Sequence, residues 1–290
     1  MINAMFSSVS SVTLITATVC LLVVNIVRII SKKRSFLNSY LTYTLVFFIC
    51  FLTAQIFSYK VGIWVLALLS FTALREYFSL INIRLQDRLG ILGAYLSIPF
   101  MYYLIQIDWY GMFIISIPVY TFLAIPLLVS LGGKETQGTV FSIGAIDFGL
   151  FLCVFCIGHI GYLLSFAIWK AVFLVINVAI CDVIIYYIGS RFRSKTLNCF
   201  VCWLLSLPLT IPVSWLLCYW TGIPPLHSII LGAMIPALVI IGHRSTDYVK
   251  ADLGVTDDVL FPGRGQIMDN LKSFFYAAPV MFHYIRYFLT

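Results

Sequence analysis

The sequence predicts an all-α, polytopic membrane protein, and three observations carry that expectation. Of 290 residues, 62% are hydrophobic and only 10% are charged, against roughly 25% charged in a soluble domain. Mean hydropathy is +1.03. Apolar runs long enough to cross about 30 Å of hydrocarbon as helices recur along the whole chain. In lipid each backbone polar group must find its partner inside the protein, and a helix meets that demand within one segment.

The runs fall near residues 9–31, 40–58, 62–83, 90–107, 111–131, 147–167, 170–189, 199–220, 227–242 and 274–289. The last is short enough to lie partly in the interface, so the expected count is nine to ten transmembrane helices. They use up nearly every residue, which leaves one integral membrane domain over 1–290 and no room for a soluble one. The first run is too long for a signal-peptide core, lacks a basic segment before it and is followed by Lys32, Lys33 and Arg34. It is expected to be a retained helix. Pro208 and Pro212 are expected to kink or break the eighth run. The ninth should give way to a polar loop running from about His243 to Ser273.

Charge sets the orientation. Of the 18 Lys and Arg residues, 14 fall in loops on one side, Lys60, Lys170 and Arg286 on the other, and Arg75 inside a span. Basic excess marks the cytoplasmic side, which puts the N-terminus outside. The net charge of +7 then reads as topology plus attraction to anionic lipid, and it excludes nucleic acid as a partner because no basic patch is interleaved with aromatics. Among the eight cysteines, Cys153 with Cys156 and Cys199 with Cys202 have CxxC spacing. Both pairs lie in apolar runs, where packing is expected and not zinc or redox chemistry.

Polar residues point to a site on the basic side. Asp182 sits in an otherwise apolar helix, where an ionisable group is costly and marks a functional position. The stretch DDVLFPGRGQIMDN, residues 257–270, follows the ninth span with three carboxylates, one arginine and three residues that bend the backbone. Clustered aspartates are hard-oxygen ligands suited to Mg²⁺, and Lys or Arg beside them suits phosphate. Together they suggest a cytoplasm-facing pocket for a metal–phosphate headgroup or a nucleotide. Arg75 and Glu76 are adjacent, face different sides of their helix, and are expected to be structural.

Three segments carry a family resemblance: ALREYFSLI at 73–81, CDVIIYYIGSRF at 181–192 with Asp182, Tyr186 and Gly189, and the run from Gly242 to Ser273 continued by FFYAAPVMFHYIRYF. Over residues 62–290 the chain resembles the bacterial phosphatidate cytidylyltransferases, or CDP-diglyceride synthetases, and their shorter paralogues above all. The resemblance implies CTP and phosphatidate, or a related anionic lipid, as ligands, Mg²⁺ as cofactor, and a multi-pass place in the bacterial inner membrane with the site facing the cytoplasm. It leaves open a homodimer or a partner lipid enzyme. Residue by residue it implies Asp257, Asp269 and Lys250 as catalytic, Asp182, Asp257 and Asp269 as metal ligands, and Lys195, Thr196, Arg264, Gly263 and Gly265 as substrate-binding.

The departures fall on polar positions. His243 stands where the family has Asp, Asp247 where it has Ser, Ala251 where it has Arg, Arg264 where it has His, Asn198 where it has Glu, and Asn270 and Lys272 where it has Arg and Asp. The scaffold is kept better than the chemistry. Catalysis is therefore expected to be weakened, altered or lost, the alternative being a fully active enzyme that makes CDP-diacylglycerol or a related CDP-lipid.

Overall fold

The computed structural model describes residues 2–30, 37–81, 83–132, 136–188, 195–252 and 266–289. These residues form a helical bundle. In chain order it consists of α1 (Ile2–Ile30), α2 (Leu37–Ile56), α3 (Tyr59–Leu80), α4 (Arg88–Gln106), α5 (Tyr110–Gly132), α6 (Thr139–Phe166), α7 (Ile168–Ile188), α8 (Lys195–Thr221), α9 (Pro225–Asp252), the short α10 (Gln266–Leu271) and α11 (Phe274–Leu289). Seven of these, α3 through α9, are long and apolar enough to cross a membrane. The protein is thus all-helical and polytopic. α1 and α2 carry described apolar stretches at Ser11–Val27 and Thr42–Ile56.

Two helices contain wider turns. α5 includes a π-helical turn at Ser116–Thr121, which contains Pro118, and α6 includes one at Phe151–Cys156. A proline cannot donate to the helical ladder, and the wider turn in α5 accommodates that loss. α6 from Leu152 to Leu164 is buried on every side. That follows from a sequence that is apolar all round and so has no polar face to offer water or a neighbour's rim. Around it pack α3, α4, α7 and α11, while α8 lies mainly on α9 and α7. Leu68, Leu123, Leu131 and Val140 on the outside are 65 to 86% exposed, an apolar coat of the kind lipid solvates.

Two expectations are corrected. The helix expected to end near residue 242 runs on to Asp252. His243, Asp247 and Lys250 follow at i, i+4 and i+7, so one face carries the polar groups; each has a partner, which makes the burial of His243 and Lys250 tolerable. Pro208 and Pro212 do not break their run, since both sit inside the continuous α8. His159 bonds the Phe155 carbonyl of its own helix at 2.7 Å, amid the rings of Phe113, Phe155 and Phe282. All eight cysteines are free.

The end of the bundle that carries Asp108, Trp109 and Lys170 is held by aromatic groups. Tyr162 donates to Asp108 Oδ1 at 2.8 Å, and the Arg286 guanidinium lies 3.7 Å from the Tyr110 ring centre. At the other end, Arg84 grips the fully buried Asp87 through two hydrogen bonds of 2.8 Å. Burial opposes the charge on Asp87, but those bonds and the guanidinium charge hold its carboxyl below the usual carboxylate range.

Candidate functional site

Asp182 lies about a turn and a half from the end of α7 and is 4% exposed. Its Oδ1 accepts from Ser273 Oγ at 2.6 Å and lies 2.8 Å from His243 Nε2. His243 Nε2 and Ser273 Oγ are themselves 2.9 Å apart, which closes a three-membered polar ring. A carboxylate set in an apolar helix has thereby gained two partners from the far end of the chain, which relieves the cost of its burial.

Two helical turns along α9 from His243, Lys250 Nζ donates to both oxygens of Asp269, at 2.9 and 2.8 Å. Lys272 Nζ donates to Asp247 Oδ1 at 2.8 Å and also lies 3.6 Å from Asp269 Oδ1. Lys250, Asp269 and Lys272 are all buried, whereas the Asp247 side chain is 61% exposed. Two local patterns produce the cluster. The 243, 247, 250 spacing puts three groups on one face of α9, and Asp269, Lys272 and Ser273 follow at i, i+3 and i+4 across the turn that joins α10 to α11.

Two backbone relationships hold these faces together. Glu76 Oε2, on α3, accepts the backbone N–H of Met268 at 2.9 Å. The acid occupies the start of α10, where unsatisfied N–H groups and the helix dipole both favour a negative charge. The two partners are 192 positions apart along the chain. At Gly242 a Cβ would collide with the Lys272 carbonyl oxygen, so the two backbones meet where no larger residue fits.

Beside the cluster lies a cavity of about 330 Å³, lined by Ile185 of α7, Asn198, Cys199 and Cys202 of α8, and His243, Arg244, Asp247 and Tyr248 of α9. Arg244 Nη1 donates to Cys199 Sγ at 3.2 Å, and its guanidinium lies 5.9 Å from the Tyr248 ring centre. The cavity shares His243 and Asp247 with the charged cluster, so a ligand in it meets both.

Of the residues singled out in the sequence, Asp182, Lys250 and Asp269 are brought into this one region. Lys195 and Thr196 open α8, though their side chains lie outside the description. Asp257, Gly263, Arg264 and Gly265 fall outside the described residues. His243, Asp247, Lys272 and Ser273 entered the sequence reading as departures from a motif or as its edge, not as site residues, and Arg244 and Tyr248 were not singled out. The i, i+4, i+7 pattern from His243 was the signal that could have placed the α9 residues together.

The described carboxylates do not suit Mg²⁺, which demands near-octahedral oxygen donors. Asp182, Asp247 and Asp269 each pair with a basic side chain. Among the described residues no group of three or more His, Cys, Asp or Glu side chains is arranged to hold a metal ion.

A sequence model of the cytidylyltransferase family matches residues 39–288. The uncharacterized protein YnbB of Escherichia coli (strain K12) is 28% identical over 241 residues, 76% of this chain and 78% of that protein. No solved structure matches.

Proposed function

The chain belongs to the cytidylyltransferase family, and from that premise we propose that its charged pocket binds CTP and a lipid phosphate, phosphatidate or a close anionic relative, with cytidylyl transfer weakened or lost. The observation that carries this proposal is the cavity lined by His243, Arg244 and Asp247 beside the buried Asp182, Lys250, Asp269 and Lys272. So many ionisable groups among apolar helices are costly to keep unless they serve a polar ligand. The excess of Lys and Arg in the loops at this end supports a site that faces the cytoplasm, in a bacterial inner membrane on this reading.

The reaction of the family's name, taken with a lipid phosphate as acceptor, is a phosphorus-centred substitution. An oxygen of the lipid phosphate bonds to the α-phosphorus of CTP, the bond from that phosphorus to the bridging oxygen breaks, and pyrophosphate leaves with the electron pair. The acceptor is already anionic, so the protein's tasks are to position two phosphates and to stabilise leaving charge. Arg244 is the group placed to meet a phosphate entering the cavity, with a planar fork suited to two oxygens. Lys250 and Lys272 supply positive charge behind it. Both ammonium groups are tied to aspartates, which favours holding a phosphate over stabilising charge that appears only in the transition state.

The test is CTP-dependent formation of CDP-diacylglycerol by the purified full-length protein, run beside thermal unfolding with CTP and with phosphatidate. Expected are a stabilisation by ligand and little or no product. Sustained turnover that disappears in Asp269→Ala would replace this proposal with that of a fully active enzyme. A protein stabilised by neither ligand would remove both.

A further inference from the structure

Resting on the phosphate-binding function proposed above, we infer that Lys250, Lys272 and His243 stand in for a divalent cation, so that this pocket takes its phosphate ligand without metal. The geometry around Asp269 carries it. Lys272 Nζ bridges two carboxylates, at 2.8 Å from Asp247 and 3.6 Å from Asp269. Lys250 Nζ bonds both oxygens of the same Asp269, at 2.9 and 2.8 Å. A cation that bridges carboxylates is the arrangement a metal ion would make, and here an ammonium group makes it. Two ammonium groups on one aspartate together bring the charge of a single divalent ion.

At the third acid, His243 Nε2 sits 2.8 Å from Asp182 Oδ1, the position a competing ligand of that oxygen would need, and Ser273 Oγ takes another direction on the same atom at 2.6 Å. A divalent ion entering this cluster would have to displace bonds that are already made. It would also sit within a few ångströms of two buried positive charges, in surroundings that screen them poorly. The tethered cations bear no such entry cost, because the chain delivers them when α9 packs on the α10–α11 turn. Arg244 then faces the cavity as the group that contacts phosphate, and the lysines hold the local potential.

The experiment uses the full-length protein in detergent and two probes. The first is Mn²⁺ alone, with free ion followed by electron paramagnetic resonance in wild type and in Asp269→Asn. No difference in bound Mn²⁺ between the two is expected. A Mn²⁺ site present in wild type and lost in Asp269→Asn overturns the inference. The second probe is phosphatidate in mixed micelles, with the unfolding midpoint read in EDTA and in Mg²⁺. The expected result is a phosphatidate-dependent rise in both, with apparent affinities that agree within about threefold. A rise confined to Mg²⁺ overturns the inference and leaves lipid-phosphate binding intact. No rise in either condition overturns the binding function itself.

Discussion

The ammonium group of Lys250 reaches both carboxylate oxygens of Asp269, at 2.9 and 2.8 Å, and both side chains are about nine-tenths buried. Removing one partner of such a pair leaves the other charge buried and less well compensated. Asp269→Ala, which takes both of these bonds from Lys250 and the second carboxylate from Lys272, is expected to cost about 3–5 kcal/mol. Unfolding in detergent measures it. A loss below about 1 kcal/mol would mean that water reaches the pair and that it behaves as an exposed bridge.

The bond from Lys272 to Asp247 has the same length but a different setting, because the Asp247 side chain is 61% exposed. Solvent screens its charge, and Lys272 keeps Asp269 nearby. Asp247→Asn is expected to change stability by less than about 1 kcal/mol. A loss as large as that of Asp269→Ala would contradict the exposure argument.

Gly242→Ala tests the backbone contact. A methyl group there meets the Lys272 carbonyl oxygen, which is held in the turn between α10 and α11 and cannot swing aside as a flexible side chain would. The expected loss is about 1–3 kcal/mol, even though alanine is the better helix former. Stability equal to wild type would show that α9 and the turn separate freely.

Acid should act through Asp87. Its folded carboxyl titrates below the ordinary range because Arg84 holds the charged form. The pair's contribution is therefore fully present above the unfolded value of about 3.9 and is lost as pH falls through the lower folded value. Asp87→Asn should flatten the dependence of the unfolding midpoint on pH below about 4. An unchanged slope in the variant would assign acid lability to other groups.

Fold class was legible because membrane spans announce themselves by length and composition, and neither depends on tertiary detail. The end of α9 was not. From His243 to Asp252 hydropathy drops and a hydropathy reading sees a loop, while the helix continues because His243, Asp247 and Lys250 repeat on one face and find partners. The site was partly legible: a lone acid in an apolar helix flagged Asp182, and motif order flagged Lys250 and Asp269. Sequence alone did not reveal that His243 faces Asp182 and that Lys272 faces Asp247. That pairing joins segments 25 to 61 residues apart, and only packing brings them together.

The bond from Glu76 to the Met268 amide bears on when the pocket can exist. α3 enters the bilayer in synthesis before the amide it must receive, which follows 192 residues later. Until then Glu76 waits without this partner, and α10 cannot be fastened. Completion of the polar pocket therefore waits for segments far downstream of α3, so a chain stalled before α10 would hold α3 in place with the pocket still unformed.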